Sequence, residues 1–224
     1  MTSFFTNKFN KSMLIALIIL FMVDVYIIVT NTPMIPQQHW AQKIFYLHVP
    51  VAWTAFLSYF FVMVFGIMYL VKKDYRWDRL GQSAAEIGTL FTALVLTTGP
   101  IWAKPIWGKP WIWEPRLTTT LILFLVYIGY FMLREFGGHP ERVARYAAIL
   151  GIIAFVDVPI IFLSVKFWTP EIQSHPQVEM AQQPGGILGP FFFSLALFTI
   201  NWLMMLRFRS HTLNIKQKLL SDHV

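Results

Sequence analysis

Between residues 102 and 118 the chain reads Trp102-Ala-Lys104-Pro-Ile-Trp107-Gly-Lys109-Pro-Trp111-Ile-Trp113-Glu114-Pro-Arg116-Leu-Thr118, which places four of its nine tryptophans within twelve residues. A tryptophan offers a large, rigid, apolar face. A cluster of them punctuated by Pro and Gly forms a surface suited to a flat apolar ligand. Trp107 and Trp111 stand four apart, so a helical register gives them one shared face, with Trp113 pointing elsewhere. Around them lie the cations Lys104, Lys109 and Arg116, and the chain holds six histidines that could ligate a metal. It holds no cysteine, which excludes a disulfide, a thiolate metal site and a Cys-x-x-Cys-His attachment motif. There is no Gly-x4-Gly-Lys-Ser/Thr phosphate loop, no nucleophile elbow and no His-Glu-x-x-His, hence no autonomous catalytic motif and no unaided ATP hydrolysis.

The elements that must position these residues are membrane helices. Of 224 residues 56% are hydrophobic and only 13% charged, a balance outside that of soluble domains. Six stretches, at about 12–30, 51–71, 82–102, 117–133, 146–165 and 187–206, are long enough to cross roughly 30 Å of hydrocarbon at about 1.5 Å per residue. The expected fold class is therefore an all-α integral membrane protein, a single polytopic domain over 1–224 with six transmembrane helices. The first stretch has no small-x-small cleavage site after it and reads as a retained helix. Basic residues alternate along the connecting segments, and the odd-numbered segments hold 13 of the 18. By the positive-inside rule both termini are cytoplasmic, and the Trp-rich segment 103–116 is the second of three outer loops. The net charge of +7 follows from the inner segments. It argues for membrane topology and lipid contact, not for nucleic acid.

Sidedness then sorts the candidates. Trp40, Trp53, Trp102, Trp107, Trp111, Trp113 and Trp168 fall at or beyond the outer surface, whereas Trp77 and Trp202 fall near the inner one. Interfacial anchoring accounts for Trp53, Trp77 and Trp202. His139, His211 and His223 lie on the inner side, leaving His39, His48 and His175. His48 stands in Tyr46-Leu47-His48-Val49-Pro50 just ahead of the second span; His175 stands in Gln173-Ser-His175-Pro176 in the third outer loop. Two neutral imidazoles from different loops beside an aromatic platform suit six-coordinate haem iron. A two-histidine Zn or Cu site remains open, although no carboxylate-plus-His cluster at ligand spacing accompanies it.

Three acids, Asp24, Glu86 and Asp157, lie within spans, where ionisable groups face the protein interior. Glu86 is about one turn from the inner end, within reach of Arg79. Asp157 precedes Pro159, which frees a backbone carbonyl and can kink the helix. Both a structural role through interhelical hydrogen bonds and a proton-relay role are open, with the structural one favoured. The two halves of the chain lack matching Gly/Pro-broken helices of the kind that mark transporter repeats.

The segment Trp107-Gly-x-x-Trp111-x-Trp113-Glu114-x-Arg116-Leu117-Thr118 resembles the tryptophan-rich "WWD" signature of haem-handling membrane proteins, and its Arg-Leu-Thr ending resembles the haem exporter protein C family, CcmC, of bacterial System I cytochrome c maturation. Leu47-His48-Val49-Pro50, Asp157-Val-Pro-Ile and a following outer-loop histidine extend the likeness over nearly the whole chain. Glu114 stands where the signature usually has Asp, and Lys109-Pro110 departs from its small or aromatic residues. The resemblance implies an inner-membrane subunit that holds haem b non-covalently at the periplasmic face and promotes its attachment to the haem chaperone CcmE. Implied partners are the ABC ATPase CcmA and the membrane subunits CcmB and CcmD. His48 and His175 then become the axial ligands, with Trp102, Trp107, Trp111 and Trp113 as the platform. Lys104, Lys109, Glu114 and Arg116 become contacts for propionates or a partner. A permease subunit that moves haem or another small molecule through its bundle is the rival expectation.

Overall fold

The computed structural model describes residues 7–36, 38–167 and 185–221. The described residues form helices and no strand, and six helical spans are long and apolar enough to cross a membrane. They are α1 (Lys8–Asn31), α2 (Phe45–Lys72, entered through a 3-10 turn His39–Ile44), α3 (Tyr75–Trp107), α4 (Pro115–Phe136), the pair α5 (Pro140–Phe155) and α6 (Asp157–Phe167), and α7 (Gly185–Ser221).

Local chemistry sets the ends. Asn7 caps α1 by accepting from the Phe9 amide at 2.9 Å, and Asp74 caps α3 by accepting from the Arg76 amide at 2.8 Å. Pro115 and Pro140 open α4 and α5 at positions where a missing N–H costs nothing. Gly108 ends α3 in the left-handed region, at φ 72°. Pro159 supplies no amide to the Phe155 carbonyl, and the fifth span is interrupted at Val156 as Pro159 predicts. The helices run past the sequence-derived spans because a helix need not stop where the hydrocarbon does. α7 alone has 37 residues, about 55 Å at the helical rise.

Tight packing needs small residues, since apolar side chains are as content in lipid as against each other. A Cβ on Gly88 of α3 would lie 2.8 Å from the Tyr59 ring of α2, and one on Gly151 of α5 would lie 2.6 Å from Val62 of α2. These glycines set α3 and α5 directly on α2, with Ala84, Ala85, Ala147 and Ala154 continuing the contact. The core between α2, α3 and α4 is filled by Tyr59 stacked on Tyr127 at 4.2 Å, with the Tyr59 hydroxyl 2.7 Å from Thr92 Oγ1. Trp202 also belongs to this core: it is buried and its indole donates to Ser58 Oγ at 2.7 Å. It is a packing residue and not the interfacial anchor its place near the span end suggests.

α1 is peripheral and packs on α7. Asp24 on α1 is buried and accepts an interhelical hydrogen bond from Ser194 Oγ of α7 at 2.8 Å. Glu86 pairs with Arg209 of α7 rather than Arg79, with Gln82 donating to it at 3.0 Å; Arg79 instead donates to Gln217. Asp78 and Arg134 form a two-pronged pair at 2.8 and 2.9 Å near the same end. The contacts of Glu86, Arg79 and Asp78 gather at the end opposite His48.

Candidate functional site

His48 sits in the first turn of α2, which places its imidazole at one end of the bundle beside the last turns of α3. Its Nδ1 lies 2.8 Å from Thr98 Oγ1, and its ring meets the Trp102 ring edge-on at a centroid distance of 5.7 Å. Gly99 lies directly beneath: a Cβ there would come within 3.3 Å of His48 Cε1. Phe45, one turn earlier, also meets Trp102 edge-on at 6.3 Å and stacks on Phe191 of α7 at 5.2 Å. The imidazole is thus held between an aromatic wall and a hydroxyl, partly buried. Thr98 and Gly99 are absent from the sequence-derived candidates because they stand 50 residues away in the chain and belong to no motif.

The Trp-rich segment is shorter as a loop than 103–116 suggests. Residues 103–107 continue α3, Pro115 and Arg116 begin α4, and only 108–114 is irregular. The shared-face reading of Trp107 and Trp111 fails for this reason, because Gly108 turns the chain out of the helix between them. Trp111 instead meets Trp113 edge-on at 5.6 Å. Trp113 is 71% exposed and Trp107 42%, while the indole nitrogens of Trp102 and Trp111 are buried without a hydrogen-bond partner among the described residues. The cluster therefore divides into two outward faces and two inward ones.

The charged residues divide as well. Lys104 and Lys109 are exposed beside the tryptophans. Glu114 is 1% exposed at the N-cap position of α4, so its carboxylate cannot reach an external ligand in this conformation. Arg116 turns inward: its Nε approaches the Ile161 carbonyl of α6 at 3.5 Å, and it interacts electrostatically with Glu114. Both were expected as outward contacts; their place at the start of α4, which packs on α6, draws them inside.

Asp157 is the first residue of α6, where the helix N-terminus favours a negative charge. Its Oδ2 is buried and has no hydrogen-bond partner among the described residues. His175 and Trp168 lie outside the described residues. His39 lies in the 3-10 turn with φ 47°, Trp40 is exposed under Lys43, and His139 is the N-cap of α5 at the far end. Among the described residues no three His, Asp or Glu side chains gather as a metal site.

Flat exposed indoles, an aromatic-walled imidazole and two exposed lysines at one end of a helical bundle suit a flat, metal-bearing, anionic ligand. A profile of the heme exporter protein C family matches residues 2–223. The heme exporter protein C of Paracoccus denitrificans is 32% identical over 175 residues, covering 76% of this chain and 72% of that protein. The protein of the same name from Bradyrhizobium diazoefficiens is 37% identical over 132 residues, 59% of this chain and 50% of the relative. A putative cytochrome c biosynthesis ccmC-like mitochondrial protein of Marchantia polymorpha is 37% identical over 144 residues, 64% of this chain and 60% of that protein.

Proposed function

Because the chain belongs to the heme exporter protein C family, we propose that it is a multi-pass membrane subunit that handles haem for cytochrome c maturation, holding the haem at the end of the bundle that carries His48. The observation that carries this reading is the convergence of a walled imidazole with the exposed faces of Trp107 and Trp113 at one end. A porphyrin requires an apolar wall and an axial nitrogen. His48 supplies one nitrogen, and His175 is the proposed second. Lys104 and Lys109, both exposed, are the propionate partners; Glu114 and Arg116 brace the start of α4 instead.

The positive-inside bias supports a placement in the bacterial inner membrane with this end facing the periplasm. There the haem is cargo, bound non-covalently as haem b and passed to the chaperone CcmE. The assembly would include the ATPase CcmA with CcmB and CcmD, since the chain has no nucleotide-binding motif of its own. When bound, the iron supplies the ligation chemistry; the chain's own residues bind the ring and orient its edge. Fixing one reactant in this way turns a two-body encounter into an oriented one.

The test is direct. His48→Ala and His175→Ala, alone and together, should remove or shift the Soret band of the purified protein and abolish chaperone loading. Unchanged spectra and loading in the double variant would sink the reading. The competing reading, transport through the bundle, has against it the Tyr59–Tyr127 stack that fills the space between α2, α3 and α4. ATP-dependent haem movement into sealed vesicles would reverse that judgement.

A further inference from the structure

A histidine ligates a metal only through the ring nitrogen that carries no proton, and the other nitrogen's hydrogen bond selects which one that is. At His48 a hydroxyl hydrogen bears on that choice. Thr98 Oγ1 lies 2.7 Å from the Leu94 carbonyl one turn back on α3, an acceptor with no proton to give. The hydroxyl must donate there, so toward His48 Nδ1, at 2.8 Å, it can only accept. Nδ1 is then the protonated nitrogen and Nε2 carries the lone pair.

We propose that Thr98 is a positioning residue that locks His48 in the Nδ1–H tautomer and so presents Nε2 as the iron-binding atom. The inference rests on the reading of His48 as a ligand. Free imidazole side chains favour the opposite tautomer, with the proton on Nε2, which would block ligation through that atom. Thr98 also fixes the direction of the ring. It holds Nδ1 against α3 and, with the Trp102 ring edge-on at a centroid distance of 5.7 Å, leaves the ring little rotation about its own axis. Gly99 completes the cradle: a Cβ there would lie 3.3 Å from Cε1, between the two nitrogens. The helix thus approaches the imidazole along one side through a hydroxyl followed by a residue with no Cβ.

The experiment separates tautomer from ligation. In full-length protein labelled with 15N-histidine, in detergent and without haem at a pH where imidazole is neutral, the His48 signals are identified by their loss in His48→Ala. The wild-type signals should show a protonated Nδ1 and an unprotonated Nε2. Thr98→Val, which keeps the shape and removes the acceptor, should shift them to a majority of Nε2–H and weaken hemin binding about tenfold. Thr98→Ser should restore both. A wild-type His48 protonated on Nε2, or a Thr98→Val protein with unchanged tautomer, overturns the proposal, and the wild-type and Thr98→Ser spectra decide it even where Thr98→Val does not fold. Failure of the site reading has a different signature: His48→Ala would then bind hemin as tightly as wild type while the tautomer results stand.

Discussion

Trp113 and Trp202 are the same side chain in opposite surroundings, one largely exposed beside Trp111 and the other enclosed against Phe61 with its indole on Ser58. Their truncations should therefore fail in different ways. Trp202→Ala removes a packed ring and leaves the cavity it filled, a loss of about 3–5 kcal/mol. Thermal unfolding in detergent should show that loss directly. Trp113→Ala should leave the unfolding midpoint nearly unchanged, yet weaken hemin binding about three- to tenfold, the share of one aromatic contact. Equal effects of both on stability would remove Trp113 from the proposed platform. Residue type made both tryptophans candidates for a membrane interface, but burial depends on which neighbour each meets. Glu114 makes the same point: its position beside three tryptophans was legible, its burial at the helix start was not. Nor was the pairing of Glu86, whose partner Arg209 is 123 residues away.

At the scale of elements, the six spans were legible because lipid demands long apolar runs with satisfied backbone. Their ends were less so, since α3 and α7 continue well beyond the hydrocarbon on capping and side-chain contacts that hydropathy does not register. The break at Val156 was visible through Pro159, a residue whose missing amide acts locally. What a one-dimensional pattern cannot carry is which small residues mark a close crossing. Gly88 and Gly129 both stand inside helices, but a Cβ on Gly88 meets Tyr59 and Ser58 at 2.8 and 2.9 Å, whereas one on Gly129 meets nothing within 4 Å. Gly88→Ala should push α3 off α2 and cost about 1–3 kcal/mol. Gly129→Ala should gain up to about 1 kcal/mol from helix propensity. The pair of midpoints, measured in the same detergent, checks the crossing; a harmless Gly88→Ala would mean that α2 and α3 do not meet this closely.

For the whole molecule the decisive property is polarity between its two ends. One end holds His48, the aromatic wall and the exposed lysines; the other holds the part-buried Asp78–Arg134 pair, the Glu86–Arg209 pair and the overhang of α7. Each pair is only partly buried, so it adds modest net stability, but its side chains tie α3 to α4 and α3 to α7 at defined positions. An even number of spans returns the chain to the end where it started, as the contact of Arg207 with the Phe9 ring illustrates. Lys109 and Lys216, both exposed, then lie on opposite sides of the membrane. The absence of native cysteine makes this measurable without background, because one introduced thiol is the only one present. In spheroplasts, Lys109→Cys should react with a membrane-impermeant maleimide, and Lys216→Cys only after the membrane is permeabilised. The reverse pattern would turn the His48 end toward the cytoplasm and remove the basis for a periplasmic hand-over, while reaction of both thiols in intact cells would contradict the six-span count itself.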